Sequence, residues 1–149
     1  GQLPEAGPFS QPEKALIDDI GAAVGAADAA IDRVAPQDAM NEVWRIVESL
    51  NGYLTEQAPW KVAKDDEQSE RLATILNTAA EGLRVLAVVL NPVLPKACAA
   101  LWESLGAEES LGALADQPLA DAGRWGQLPA GTTITKVPSL FPRLELDKA

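Results

Sequence analysis

The sequence contains no histidine in 149 residues, and this absence narrows the chemistry that the chain can perform. It excludes Ser–His and Cys–His nucleophile pairs, His-assisted proton transfer and most zinc sites. There is a single cysteine, Cys98, so no internal disulfide can form. A reducing compartment, and hence a cytoplasmic location, is the environment that such a chain fits.

Other signatures are missing as well. Gly21 and Gly25 lie in an Ala-rich helical pattern and do not follow a strand, so no Gly-rich phosphate loop is predicted. The acidic clusters at 18–19 and 65–67 are typical of solvated helix ends. No run of about 18 uncharged apolar residues indicates a membrane span, and residues 1–14 lack the features of a secretory signal. We expect no catalytic site, metal site, cofactor or membrane partner in this chain. The missing initiator methionine hints at a piece of a longer protein.

The charge balance is acidic, with 12 basic and 22 acidic residues and a net charge of −10. Proteins that grip nucleic acid through its phosphates carry a basic surface, so DNA is not an expected partner. The stretch from Trp60 to Ala100 is neutral, because its five bases are matched by five acids: Lys61, Lys64, Arg71, Arg84 and Lys96 against Asp65, Asp66, Glu67, Glu70 and Glu81. A polyanion that binds anywhere is expected here, read by stacking and hydrogen bonds.

Apolar periodicity predicts four helices, at about 10–34, 36–55, 66–90 and 95–105. The pattern of Ser10 and Glu13 is that of a capping box at the start of the first helix. Pro36 opens the second helix, and Gly106 closes the fourth. Ser110 is predicted to cap one further turn, through Ala115.

Each helix has a predicted core stripe. The stripes are Leu16, Ile17, Ile20, Val24, Ala27 and Ile31; Met40, Val43, Val47, Leu50 and Leu54, widened by Trp44 and Ile46; Leu72, Ile75, Leu76, Ala79, Leu83, Leu86 and Leu90; and Cys98, Leu101, Trp102 and Leu105. Four antiparallel helices with short connections make a bundle. The expected fold class is therefore all-α, an antiparallel helix bundle over residues 1–115.

Residues 116–149 have a different character, with four prolines and three glycines. This composition predicts an irregular C-terminal tail that lies across a surface. A short strand is possible at 132–137, although no second strand is evident to pair with it. The apolar run 140–144 requires a docking site, either on the bundle or on a further domain.

The most informative segment is NGYLTEQAPWKVAK, residues 51–64, in which Trp60 stands between Pro59 and Lys61. An aromatic ring at such a helix-to-helix junction can offer its face to an unpaired base, and base–aromatic stacking is worth about 1–3 kcal/mol. The alternative is that Trp60 plugs the end of a helical core, as most buried aromatics do. The pattern alone leaves both interpretations open.

This segment resembles the anticodon-binding domain of bacterial methionyl-tRNA synthetases. The family's Asn-x-Tyr pattern is matched by Asn51 and Tyr53, and its Pro-x-x-Pro element by Pro92 and Pro95. The residues that match its Ala-Pro-Trp-x-x-Ala-Lys junction are Ala58, Pro59, Trp60, Ala63 and Lys64. The similarity is continuous over about 39–106, and the closing SLFPRLE resembles the family's segment that folds back toward the catalytic core.

The resemblance implies that the parent enzyme activates methionine with ATP and Mg and transfers it to its tRNA. The helical domain reads the CAU anticodon, and the Trp of the Pro-Trp pair stacks on an anticodon base. The implied RNA-contact residues are Trp60, with Pro59 fixing its orientation, and the neighbouring Lys61 and Lys64. Residues 116–149 would return toward the parent's own catalytic domain.

The chain also departs from the family's pattern. The family reads the anticodon with an Asn and an Arg on the first helix of the domain, which would precede Gly1. The HIGH and KMSKS signatures are absent. The resemblance therefore implies an anticodon-binding bundle over 1–115 without its first helix, and no aminoacylation by this chain itself. Two alternatives remain: a helical protein-interaction module without RNA binding, and the anticodon domain of another class I synthetase, which the Ala-Pro-Trp junction disfavours.

Overall fold

The computed structural model describes residues 1–142, and within that range every regular element is helical. The α-helices are α1 (Gln11–Asp32), α2 (Pro36–Gln57), α3 (Pro59–Val62), α4 (Ser69–Leu90), α5 (Pro95–Ser104) and α6 (Ala107–Leu111). The 3₁₀ turns are Asp66–Gln68, Leu114–Asp116 and Leu119–Asp121. The predicted all-α fold class is confirmed.

The residues predicted to begin and end the long helices lie at or near the helix ends in the structure. Both halves of the capping box at Ser10 and Glu13 form, and Pro36 is the first residue of α2. Helix α1 ends at Asp32, two residues early, because Val34 adopts a left-handed conformation with φ 60°. Gly106 has φ 64° directly after the last turn of α5. These local signals set helix ends to within about two residues.

The core lies between α1, α2 and α4. Helices α1 and α2 are antiparallel, since Tyr53 near the end of α2 contacts Glu13 near the start of α1. Helix α4 crosses α2 closely at Gly82, where an added Cβ would lie 2.7 Å from a methyl carbon of Leu50. An alanine at this position would therefore require the Leu50 side chain to shift.

The predicted stripe of α4 is partly wrong. Leu76 and Leu83 are 43% and 36% exposed. Five polar residues are buried on the same helix: Thr74, Asn77, Thr78, Glu81 and Arg84. The side of α4 that carries these polar residues is therefore covered by another part of the chain, which the apolar pattern of the helix does not indicate.

The cover over that side is the C-terminal segment, which a buried ion pair holds in place. Arg84 Nε donates to Glu81 Oε2 at 3.0 Å, and its Nη2 donates to the carbonyl oxygens of Ala122 at 3.1 Å and Arg124 at 2.6 Å. Glu81 in turn accepts from the backbone N–H groups of Gly126 and Leu128. Charged residues become buried here because backbone groups satisfy their remaining hydrogen bonds.

Residues 131–135 continue along the bundle beside the N-terminal lead-in. Leu3 N donates to Thr132 O at 2.8 Å, and Ser104 Oγ donates to Thr135 O at 2.6 Å. The strand predicted at 132–137 is reduced to an isolated bridge between Gln2 and Thr133. Of the apolar run 140–144, Phe141 is 67% exposed, and residues 143 and 144 lie outside the described range.

Three smaller expectations are wrong as well. Ile31 and Trp44 were predicted to face the core but are 51% and 59% exposed. Ser110 caps no new turn through Ala115, because it lies inside α6 and its hydroxyl donates to Gly106 O. The helical path stops at Gly112, where φ is 83°.

One stretch of the described chain, Asp66–Leu90, is long and apolar enough to cross a membrane by length and composition alone. Within the fold, 72% of its most apolar window is buried. The central helix of a globular bundle has the same properties.

Candidate nucleic-acid interface

The junction between α2 and α4 is a sharp turn made by one non-glycine residue. Ala58 is buried and left-handed, with φ 44° and ψ 61°, and its N–H donates to Leu54 O at 3.0 Å. Pro59 then starts the short helix α3, where its fixed φ suits the first position. The chain is thereby redirected within two residues.

Two side chains of helix α3 point in different directions, one toward the core and one toward solvent. Val62 packs against the hydrophobic core, while Trp60, two residues before it, is 57% exposed. Two residues along a helix point to nearly opposite sides, so anchoring Val62 directs Trp60 toward solvent. The indole does not plug the bundle, which was the alternative that the sequence left open.

The charged residues around Trp60 do not form a positively charged binding site. Lys61 and Lys64 are exposed, and the exposed acids Asp65, Asp66 and Glu67 follow them directly. Hydrogen bonds from Gln68 and from the backbone N–H of Glu67 hold the pKa of Asp65 below its usual value. With acids this close, the two lysines add little net attraction for a phosphate, so the exposed indole of Trp60 is the most distinctive group at this junction.

A partly buried polar network lies beneath this junction, with Glu13 and Tyr53 buried at its centre. We call it the Glu13 network; its members are Ser10, Glu13, Tyr53, Gln57 and Arg71. Glu13 Oε2 accepts from Ser10 N at 3.0 Å and from Ser10 Oγ at 2.6 Å. Glu13 Oε1 accepts from Tyr53 Oη at 2.6 Å and from Arg71 Nη2 at 2.8 Å. Arg71 Nη2 also donates to Gln57 Oε1 at 2.6 Å. The network joins α1, α2 and α4 at the end of the bundle that carries Trp60.

The network fixes the protonation states of its members. Burial by itself raises the pKa of Glu13, but the hydrogen bonds from Arg71, Ser10 and Tyr53 outweigh it and lower that pKa from 4.5 to about 2. Burial and the bond to the Glu13 carboxylate raise the pKa of the Tyr53 hydroxyl. The bond to Glu13 raises the pKa of Arg71. Glu13 and Arg71 are therefore both charged and paired at neutral pH.

The sequence signals for this site differ in strength. Pro59, Trp60, Lys61 and Lys64 lie within two turns of chain, so their proximity follows from their positions. The Glu13 network was not predicted. Its only sequence signal was the capping box of Ser10 and Glu13, which does not reveal that the same carboxylate is buried against two other helices. Within residues 1–142, no group of three or more His, Cys, Asp or Glu side chains could hold a metal ion.

Comparison with known proteins identifies the family to which the chain is similar. A family model described as the anticodon binding domain of methionyl tRNA ligase matches residues 3–149. The methionine–tRNA ligase of Streptomyces coelicolor is 54% identical over 148 residues, which are 97% of this chain and 28% of that protein. The ligase of Deinococcus radiodurans is 38% identical over 115 residues, covering 77% of this chain and 16% of that protein. The chain thus spans less than a third of these curated relatives.

Solved structures support the same fold. Apo Mycobacterium tuberculosis methionyl-tRNA synthetase superposes with a TM-score of 0.82 and 23% identity, over 98% of this chain and 28% of that one. The same enzyme in complex with methionyl-adenylate gives a TM-score of 0.83 and 25% identity, over 96% of this chain and 27% of that one. The junction, the fold and the family match agree, and the chain belongs to the family of anticodon-binding domains of methionyl-tRNA ligases.

Proposed function

We propose that this chain reads the CAU anticodon of a methionine-accepting tRNA, as part of a ligase that attaches methionine to that tRNA with ATP. The observation that carries the proposal is the exposed indole of Trp60 on a turn fixed by Ala58 and Pro59. Anticodon bases that are splayed out of their loop are recognised by stacking and by hydrogen bonds to their edges.

Each of the four residues at the site has a role that follows from its chemistry. Trp60 supplies the stacking face, and Pro59 restricts the backbone that carries it. Lys61 and Lys64 lie beside the stacked base and contact its phosphates only weakly, because the acids that follow offset their charge for any polyanion. An acidic chain with an exposed indole at this turn is therefore suited to a tRNA and not to DNA.

The apolar face of α4 supports the expectation that the first helix of the domain lies outside this chain. Leu76 and Leu83 are seven residues apart, so they lie on one side of α4, and both are exposed. A further helix from the longer protein would bury them, and it would carry the Asn and Arg that read the remaining bases. Residues 116–149 would end against the catalytic domain.

The chemistry of methionine activation belongs to the rest of the parent enzyme. ATP and Mg would bind to the catalytic domain, and the whole enzyme would act in the cytoplasm, away from membranes.

The test is Trp60→Ala in the full-length ligase. Loss of one base stack removes about 1–3 kcal/mol of binding, so KM for tRNA should rise about 5- to 150-fold. Methionine-dependent ATP–pyrophosphate exchange should stay unchanged, because no tRNA takes part in it. Trp44→Ala is the matched control, since Trp44 is 59% exposed but lies in the middle of α2.

Unaltered tRNA charging by Trp60→Ala would refute the proposal, as would an equal loss in both tryptophan variants. The exposed apolar side chains favour one alternative, a protein-interaction module without RNA binding. That alternative predicts no binding of an anticodon stem–loop even to the full-length protein.

A further inference from the structure

The Glu13 network includes a link that bears on the RNA-binding turn. Gln57 is the last residue of α2, and Arg71 lies in the first turn of α4. They are 14 positions apart in sequence, and their side chains meet at 2.6 Å. This hydrogen bond closes the base of the segment 58–70, which carries Trp60.

The turn that follows Gln57 needs such support. Ala58 is left-handed with φ 44°, a conformation that is unfavourable for a residue with a side chain. Strained backbone of this kind persists only when the surrounding structure holds it. On the far side of the turn, Val62 packs against the core. On the near side, Gln57 is the last side chain of α2, and Arg71 holds it.

Arg71 is itself held in place by its hydrogen bonds. Its Nη2 is shared between Gln57 and the fully buried carboxylate of Glu13. A guanidinium bonded to two acceptors at once has little freedom to turn, so its position defines the position of Gln57. The side chain of Arg71 is 28% exposed, and its charge is neutralised by Glu13, so it is poorly suited to binding a phosphate directly.

We infer that Gln57, held by Arg71 and Glu13, is a positioning residue that fixes the direction of the Trp60 indole before RNA arrives. The inference rests on the proposed function, because it assigns a role in the same binding event. A platform ordered in advance loses less conformational freedom on binding, and this raises affinity without a new contact.

The experiment uses the full-length ligase with Gln57→Met, which keeps the length of the side chain but lacks the amide oxygen. KM for tRNA should rise roughly three- to tenfold, the range of one hydrogen bond's net contribution. The values of kcat and of ATP–pyrophosphate exchange should stay unchanged. Gln57→Glu, which restores an acceptor for Arg71, should return KM to within about twofold of the wild-type value.

A structural control separates positioning from a general loss of stability. Ser104→Ala also removes one half-buried hydrogen bond, to Thr135 O at 2.6 Å, but at a site far along the chain from Trp60. Ser104→Ala should lower the midpoint of thermal unfolding about as much as Gln57→Met does, and it should leave KM for tRNA unchanged. An equal rise in KM for Ser104→Ala would overturn the inference.

The double variant Gln57→Met/Trp60→Ala gives the sharpest readout. If Gln57 acts through Trp60, the double variant should bind tRNA no more weakly than Trp60→Ala alone, so the two effects are not additive. Additive effects, or a normal KM for Gln57→Met beside a raised KM for Trp60→Ala, would refute the positioning role only. A normal KM for Trp60→Ala would refute the proposed function itself.

Discussion

Replacing Glu13 with Gln should destabilise the bundle in a strongly pH-dependent way. The side chain is fully buried, and its pKa falls from 4.5 to about 2 on folding. At about 1.4 kcal/mol per pKa unit, this shift corresponds to about 3 kcal/mol of stability at neutral pH. Glutamine keeps the shape and one acceptor, but it has no charge for Arg71 and turns an amide donor toward Ser10.

The sign of the pH dependence follows from the direction of the shift. Because the folded state has the lower pKa, the contribution is complete above pH 4.5 and is lost as the pH falls toward 2. Urea unfolding of the wild-type chain and of Glu13→Gln at several pH values measures it. The difference in unfolding free energy should shrink by roughly 2 kcal/mol between pH 7 and pH 3.

The control is Glu48→Gln, on the exposed face of α2, which should change stability by less than about 0.5 kcal/mol. A difference between wild type and Glu13→Gln that stays constant from pH 7 to pH 3 would show that the buried carboxylate is not held ionised by its partners. The account of the Glu13 network would then be wrong.

Two further predictions concern backbone turns. Gly106→Ala should lower the free energy of unfolding by about 2 kcal/mol or more. The reason is that φ is +64° there and the new Cβ would lie 2.5 Å from Thr133 O. An unchanged urea midpoint would contradict the close approach of residues 132–133. Val34→Gly should do the opposite and raise the urea midpoint, with a gain of about 1 kcal/mol, since Val34 is left-handed and 86% exposed. A lower midpoint for Val34→Gly would contradict a left-handed, solvent-exposed Val34.

Local signals explain what the sequence could predict. Pro36, Gly106 and the capping box at Ser10 act on their immediate neighbours, so helix existence and most helix ends followed from the pattern. The position of Trp60 at a turn was equally local, since Pro59 disfavours helical geometry at Ala58. The role of Trp60 in RNA binding stays a prediction.

Contacts between distant parts of the chain explain what could not be predicted. Leu76 and Leu83 were assigned to the core because their spacing suits a helix face, whereas the residues buried on α4 include Glu81 and Arg84. Backbone groups more than 35 residues away satisfy that pair. The bond between Arg71 and Glu13 likewise joins residues 58 positions apart. Periodicity does not report such partners.

The most direct test of the central claim is the affinity of the full-length ligase for a short anticodon stem–loop containing CAU, compared among wild type, Trp60→Phe and Trp60→Ala. If the exposed indole at the α2–α3 turn stacks on an anticodon base, the dissociation constant should rise slightly for Phe, and by about 5- to 150-fold for Ala. Equal affinities for all three proteins would contradict the account.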